Sequence, residues 1–281
     1  MTGCEGEQGP IGPAGPAGAD GADGADGTDG QDFTIGELTP LTASVVPNTV
    51  FKMGDGFNQD QVKMIMTSQD ILPSDSSFVY GAFTDGSALY PNGDGTYSLI
   101  VNTEDENLQP LDGDYILNSI ATGFTAMCSG SAITPEEHGF GPLYLSGGEW
   151  GGTARGVYVV DPFKPAANAS FGRRAAAMGE WTTENAVVLG KDAYPGRTVA
   201  IIGDDDSNNT YPEGHLAMYE GALGDLFNGD LYVLRGKNKV ETAPGEGGQL
   251  FEMGMEEGTA YDVEWVEMTE RTLTELNQEA I

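Results

Sequence analysis

Cys128 and Glu149 are the first pair in this sequence that could do chemistry together. The run Met127-Cys128-Ser129-Gly130-Ser131 carries the one cysteine outside the extreme N-terminus. After a spacer comes Leu145-Ser146-Gly147-Gly148-Glu149-Trp150, with Arg155-Gly156 behind it. A thiolate suits softer ions and a carboxylate harder ones, so adjacent strands that brought the two together would build a metal site. The competing role for Cys128 is that of a small apolar residue in a sheet core.

A second group of ligand-type residues is Asp204, Asp205, Asp206, Asn208 and Asn209, which packs hard oxygens into one loop as calcium requires. Asp-rich turns are also ordinary strand connections. His138 and His215 lie far apart without metal-ligand spacing, so both read as structural or exposed. No Gly-x-Ser-x-Gly elbow, phosphate-binding loop or His-Glu-x-x-His run is present.

The charge balance narrows the partners. Acidic residues number 44 against 12 basic ones, a formal charge of -32. Nucleic acid, which needs clustered Lys and Arg, is excluded as the default ligand. The balance fits an extracellular, periplasmic or cell-surface protein among divalent cations, and it also serves solubility and salt tolerance. Two cysteines cannot make a disulfide framework, and no apolar run of about 18 residues marks a membrane span. Met1-Thr2-Gly3-Cys4 resembles the end of a bacterial lipoprotein signal, which makes Cys4 a candidate lipidation site and membrane tether. The usual upstream apolar region is missing; without lipidation Cys4 is a free thiol in a tail.

The elements that must position these residues begin after a distinct tail. Glycine occupies every third position from Gly3 to Gly30, with Pro10, Pro13 and Pro16 in the second slot of their triplets. Such a period is what a collagen triple helix requires, so residues 1–32 read as a collagen-like stalk able to form a homotrimer, or as a solvated acidic spacer. From 33 to 281 the composition is that of a folded domain. Strands are predicted at 78–83, 97–101, 115–118, 143–145, 156–160, 186–189, 198–202, 215–219, 230–234 and 260–266. Turn signals such as Asn92-Gly93-Asp94-Gly95 and Asp112-Gly113-Asp114 separate them. Helical periodicity is confined to 58–68 and the last dozen residues. Many short strands with Gly-rich turns predict an all-β sandwich, barrel or propeller.

Four segments, in order, resemble the PhoX-type alkaline phosphatases, which are calcium-dependent bacterial β-propellers. Leu99-Ile100-Val101-Asn102-Thr103-Glu104 is similar to that family's apolar strand ending in Asn-His-Glu. Cys128-Ser129-Gly130-Ser131 with Leu145-Ser146-Gly147-Gly148-Glu149 resembles its Cys-Ser-Gly-Thr and Ser-Gly-Glu-Glu pair. Met178-Gly179-Glu180-Trp181-Thr182-Thr183-Glu184-Asn185 resembles its Gly-aromatic-x-x-Glu-Asn segment. Val199-Ala200-Ile201-Ile202-Gly203-Asp204-Asp205-Asp206 resembles its strand into Gly-Asp-Asp, and Gly229-Asp230-Leu231-Tyr232-Val233 its next strand.

The resemblance implies a β-propeller with a cluster of Fe3+ and Ca2+ at one mouth, acting on phosphoric monoesters of small molecules. Cys128 would be a thiolate ligand to iron, and Glu149 and Glu184 carboxylate ligands; Glu104, Asp204 and Asp205 fall in the matching motifs. The metals would bind the anionic ester that so few basic residues cannot neutralise, and Arg155 would clamp a phosphoryl oxygen or pair with a carboxylate. Trp181 would close the pocket or fill the core. Three positions depart from the family pattern: Thr103 for His, Gly148 for Glu, and Thr183 where one branch has His. A further Arg-Pro-Glu segment is expected beyond residue 281, so the chain reads as about half a propeller.

Two other readings compete. One is a non-catalytic, calcium-stabilised adhesion protein on a collagen-like stalk, and the other a phytase-like propeller. Geometry discriminates: a shared metal site requires Cys128, Glu149 and Glu184 to converge within about 6 Å.

Overall fold

The structure is a computed structural model that describes residues 84–104, 116–150, 154–205, 214–237 and 257–271, with Gly54, Gly56, Thr67 and Asp70. The Gly-X-Y block with Cys4, the predicted strand at 78–83 and the C-terminal helical run lie outside the described residues. So do Asp206, Asn208, Asn209, the 112–114 turn and all of the 58–68 segment except Thr67.

The fold is all-β, with three antiparallel sheets. The first pairs β1 (Thr84–Pro91) with β2 (Tyr97–Thr103). The second is β3 (Met127–Ile133), β4 (Leu143–Gly148) and β5 (Gly156–Val160). The third runs from β6 (Thr183–Val188) through β7 (Arg197–Asp204), β8 (Leu216–Ala222) and β9 (Asp230–Gly236) to β10 (Val263–Met268). Every sheet is a meander in chain order. The only α-helix among the described residues is the single turn α1 (Pro135–His138), so no described helix is long and apolar enough to cross a membrane.

Local chemistry accounts for most of these elements. In the β1–β2 turn, Gly93 (φ +80°) and Gly95 (φ +90°) adopt the left-handed backbone that glycine takes most readily. Asp94 Oδ1 accepts from Thr96 N at 2.9 Å and tightens the turn. Alternation in β8 and β9 sends Ala217, Tyr219, Leu231 and Val233 into the core, where they meet Trp181 and Leu145. A second cluster of Ala88, Tyr90, Tyr144 and Val160 ties the first sheet to the second.

The sheets pack on one another, β1 against β3 and both β3 and β4 against β6, and glycines set the spacing. A Cβ on Gly86 would lie 2.0 Å from Gly130 N, and one on Gly147 2.3 Å from Thr183 O. Only glycine lets these backbones approach so closely. The three sheets do not close into a ring among the described residues.

Two departures from the sequence reading have physical causes. Residues 116–118 of the predicted 115–118 strand form a bend, because Asn118 Oδ1 accepts from Ile120 N at 3.1 Å and turns the chain. β1 and β3 were not predicted, since Thr84-Asp-Gly-Ser and Met127-Cys-Ser-Gly-Ser are rich in residues with poor strand propensity.

Candidate metal centre

One register rule governs all three sheets. In β1–β2, Thr84 pairs with Thr103 and Ser87 with Val101, so three steps along β1 match two along β2. In β3–β4, Met127 pairs with Gly148 and Gly130 with Ser146, again three steps against two. In β6–β7, Thr183 pairs with Asp204 and Asn185 with Gly203, two steps against one. Each first strand therefore carries a one-residue bulge at the same end of its sheet, a device that re-aims side chains. Next to the outermost pair, the first strands supply Asp85, Cys128 and Glu184. The residues just past the second strands are Glu104, Glu149 and Asp205. Each sheet presents one ligand-type pair from equivalent positions.

Packing of the sheets brings five of the six together. The ligand atoms of Cys128, Glu149 and Glu184 lie within 4.8 Å of one another, as do those of Asp85, Glu104 and Cys128. The separation is inside the roughly 6 Å that a shared ion demands. Cys128 belongs to both groups. Its Sγ donates to Glu104 Oε1 at 3.2 Å, and Ser129 Oγ stands 3.1 Å from Glu184 Oε1 and 3.4 Å from Asp85 Oδ1. Cys128 is buried, yet it belongs to neither hydrophobic cluster; its neighbours are carboxylates.

A supporting set of hydrogen bonds fixes the bulge in β3. The buried Asn102 amide donates to Cys128 O and, at 2.7 Å, to Ser146 Oγ. Glu149 N donates to Ala126 O at 3.2 Å and Trp150 N to Thr125 Oγ1 at 2.8 Å, which anchors the segment leaving β4.

The cluster is short of positive charge. Burial pushes the Glu149 carboxyl up to about 7; the Cys128 hydrogen bond opposes this, and the Glu184 and Asp205 carboxylates reinforce it. Burial also pushes the Cys128 thiol up, helped by its hydrogen bonds to Glu149 and Glu104 and by the charges of Glu149 and Glu184. At Glu104 the Cys128 hydrogen bond pulls down, but burial together with Asp85 and Glu184 outweighs it and the net shift is upward. Among the described residues the Arg–carboxylate pairs are Arg174–Glu180, Arg197–Glu220 and Arg235–Glu264, none in the cluster. Massed acids without a basic partner are what a cation neutralises. A thiolate suits softer transition ions and carboxylates suit harder cations.

The remaining candidates lie elsewhere or act indirectly. The Asp204 side chain is fully buried, and its Oδ2 is 3.3 Å from His215 Nδ1. The His215 ring in turn packs on Trp181, with centroids 5.4 Å apart. Asp205 is exposed, and its charge is felt by Glu149. Arg155 has its Nε buried without a partner and makes no ion pair among the described residues; its carbonyl accepts from Arg174 Nη1 at 2.7 Å. Trp181 is wholly buried in the main core; His138 ends α1, its Nδ1 accepting from Thr134 N at 3.1 Å and its Nε2 lying 3.2 Å from Val188 O. Thr103, Gly148 and Thr183 are the pairing positions beside the ligands.

Sequence reasoning missed Asp85, Ser129 and Asn102. The usable signal was internal spacing: Asp85 and Glu104, Cys128 and Glu149, and Glu184 and Asp205 lie 19, 21 and 21 residues apart. The fold and cluster define a mostly β protein with a candidate cation centre. Comparison with protein-family models, curated proteins and solved structures returns no match.

Proposed function

We propose that the chain is a metal-dependent phosphoric monoester hydrolase similar to the PhoX-type alkaline phosphatases. The observation that carries this reading is the meeting of Cys128, Glu149 and Glu184, from two sheets, within 4.8 Å. The meander sheets, with first strands packed on one another and ligands at one common end, support a propeller-like arrangement in which those strands line an axis.

Cys128, Glu149 and Glu184 would hold one cation and Asp85, Glu104 and Cys128 could hold another, with Fe3+ and Ca2+ as the expected occupants. Such ions would supply positive charge for phosphoryl oxygens and acidify water. Glu149, Glu104 and Cys128 serve as ligands only in their deprotonated forms, so cation binding is coupled to proton release. Ser129 Oγ, between Glu184 and Asp85, orients the two carboxylates. Asn102 holds the Cys128 backbone in place. Without the cations, the concentrated negative charge repels a phosphate ester. The substrate is a phosphorylated small molecule outside the cytoplasm.

Elemental analysis together with hydrolysis of p-nitrophenyl phosphate, before and after EGTA, tests this. Iron and calcium in the protein and activity lost on chelation are expected. A protein that stays folded in EGTA, holds no metal and hydrolyses nothing ends the proposal. Calcium without iron and without hydrolysis points instead to a calcium-stabilised surface domain.

A further inference from the structure

We propose that Tyr144 is a positioning residue of the Asp85–Glu104–Cys128 group, its hydroxyl donating through one water to the Asp85 carboxylate; this rests on the cation centre of the hydrolase reading. Four tyrosines are buried among the described residues: Tyr90, Tyr144, Tyr158 and Tyr219. Tyr90 Oη donates to Leu143 O at 2.6 Å, Tyr158 Oη to Ala154 O at 2.7 Å and Tyr219 Oη to Asp225 O at 3.2 Å. Tyr144 is 2% exposed, and its hydroxyl has no partner among the described residues. A buried hydroxyl left unmet destabilises a fold, and phenylalanine would fill the same space without one.

The packing fixes where that hydroxyl lies. Tyr144 pairs with Ala132 on β3 and clusters with Ala88, Tyr90 and Val160 between the first and second sheets. Its side chain runs along β3 toward the Cys128 end, since a Cβ on Gly130 would lie 2.0 Å from Tyr144 Oη. Gly130 is also where β1 touches β3. A Cβ on Gly86, the neighbour of Asp85, would lie 2.0 Å from Gly130 N and 2.5 Å from Ser129 C. The hydroxyl and the Asp85 segment therefore meet the same stretch of β3. The Asp85 charge is felt at the phenol, where burial, Tyr90 and Asp85 together raise the pKa, so the group is a donor.

Asp85 is the carboxylate with room for such a donor. Ser129 Oγ has one hydrogen for two carboxylates and stands nearer Glu184, at 3.1 Å, than Asp85, at 3.4 Å. No direct hydrogen bond joins Tyr144 Oη to Asp85, and polar groups at such a separation in a buried site are commonly bridged by water. Donors that hold a ligand carboxylate in place change metal affinity by about 10- to 100-fold.

Tyr144→Phe in the whole chain tests this, because it keeps the ring and removes only the hydroxyl. Calcium affinity, read by calorimetry with calcium alone, is expected to fall about 10-fold. The urea midpoint of the metal-free protein should not drop, since the ring packing is kept. In an Asp85→Asn background the same replacement should lower affinity little further, as expected for two residues acting as one unit. Three results overturn the inference and leave the cation centre standing: unchanged calcium affinity, an undiminished loss in the Asp85→Asn background, or a loss matched by a lowered metal-free midpoint. Absence of calcium binding by the unsubstituted protein overturns both.

Discussion

Cys128 Sγ lies 3.2 Å from Glu104 Oε1, although Cys128 is in the second sheet and Glu104 follows the last residue of β2 in the first. That contact links two ligand groups into one acidic tract and makes the thiol the point they share. Loss of Cys128 should therefore affect both sites, with the softer ion affected more. Cys128→Ser is expected to lose most of its iron and to keep part of its calcium, read by elemental analysis after dialysis. Asn102→Ala leaves every ligand in place but removes the donor to Cys128 O and Ser146 Oγ. A loss of about 10- to 100-fold in metal affinity is expected from such a supporting residue.

The register rule makes its own demand on Asp85, which stands in β1 where Cys128 stands in β3 and Glu184 in β6. Asp85→Asn keeps the shape and removes the charge. Calcium affinity should fall by about 10-fold, since one carboxylate ligand sets affinity through its charge, while the metal-free protein keeps or raises its denaturation midpoint because a repelling charge beside Glu104 is gone. Unchanged calcium binding would show that the rule describes packing alone.

Close packing between the sheets predicts a strong position dependence for glycine replacements. At Gly147 a Cβ would sit 2.3 Å from Thr183 O, and at Gly86 it would sit 2.0 Å from Gly130 N, both against backbone. Gly147→Ala and Gly86→Ala should each destabilise by about 2–3 kcal/mol in chemical denaturation, because a strand must move to admit the methyl group. Gly203→Ala in β7 meets nothing within 4 Å and should change stability by less than about 1 kcal/mol. Comparable losses at all three positions would mean that the sheets are not held this tightly.

Strands with an apolar, β-branched signature were legible in the sequence. β5 was predicted at its observed bounds, and β7 and β9 to within two residues at each end. β1 and β3 were not, because their sequences are shaped by close approach and ligand presentation: Gly86, Ser129 and Gly130 are poor strand formers that the packing requires. Those strands carry Asp85 and Cys128, so local propensity fails where the candidate site begins. Cys128, Glu149 and Glu184 could be picked out by residue type and motif. Asp85 could not, since Thr84-Asp85-Gly86-Ser87 reads as a turn until its register against β2 is known. Asp204 looked like a calcium ligand beside Asp205, but its contact with His215 depends on strand β8, 11 residues further on.

The metal-free protein should become less stable as pH rises through the range where Glu149 titrates. Its carboxyl has an ordinary value of 4.5 and is held at about 7 in the fold, chiefly by burial in a site only 7% exposed. The folded state thus binds the proton more tightly than the unfolded chain. The stability that Glu149 itself contributes is fully present below about 4.5 and is lost as the pH rises through about 7. Glu104, shifted upward as well, adds to the slope in the same direction. Glu149→Gln should flatten most of it in urea titrations at pH 5, 6 and 7.5. Metal should reverse the trend, because ions bind the deprotonated ligands: affinity rises through pH 7 and the loaded protein gains stability where the metal-free one loses it. A metal-free protein whose stability rises between pH 5 and 7.5 would mean that Glu149 is ionised and otherwise compensated, and that the acidic tract does not wait for a cation.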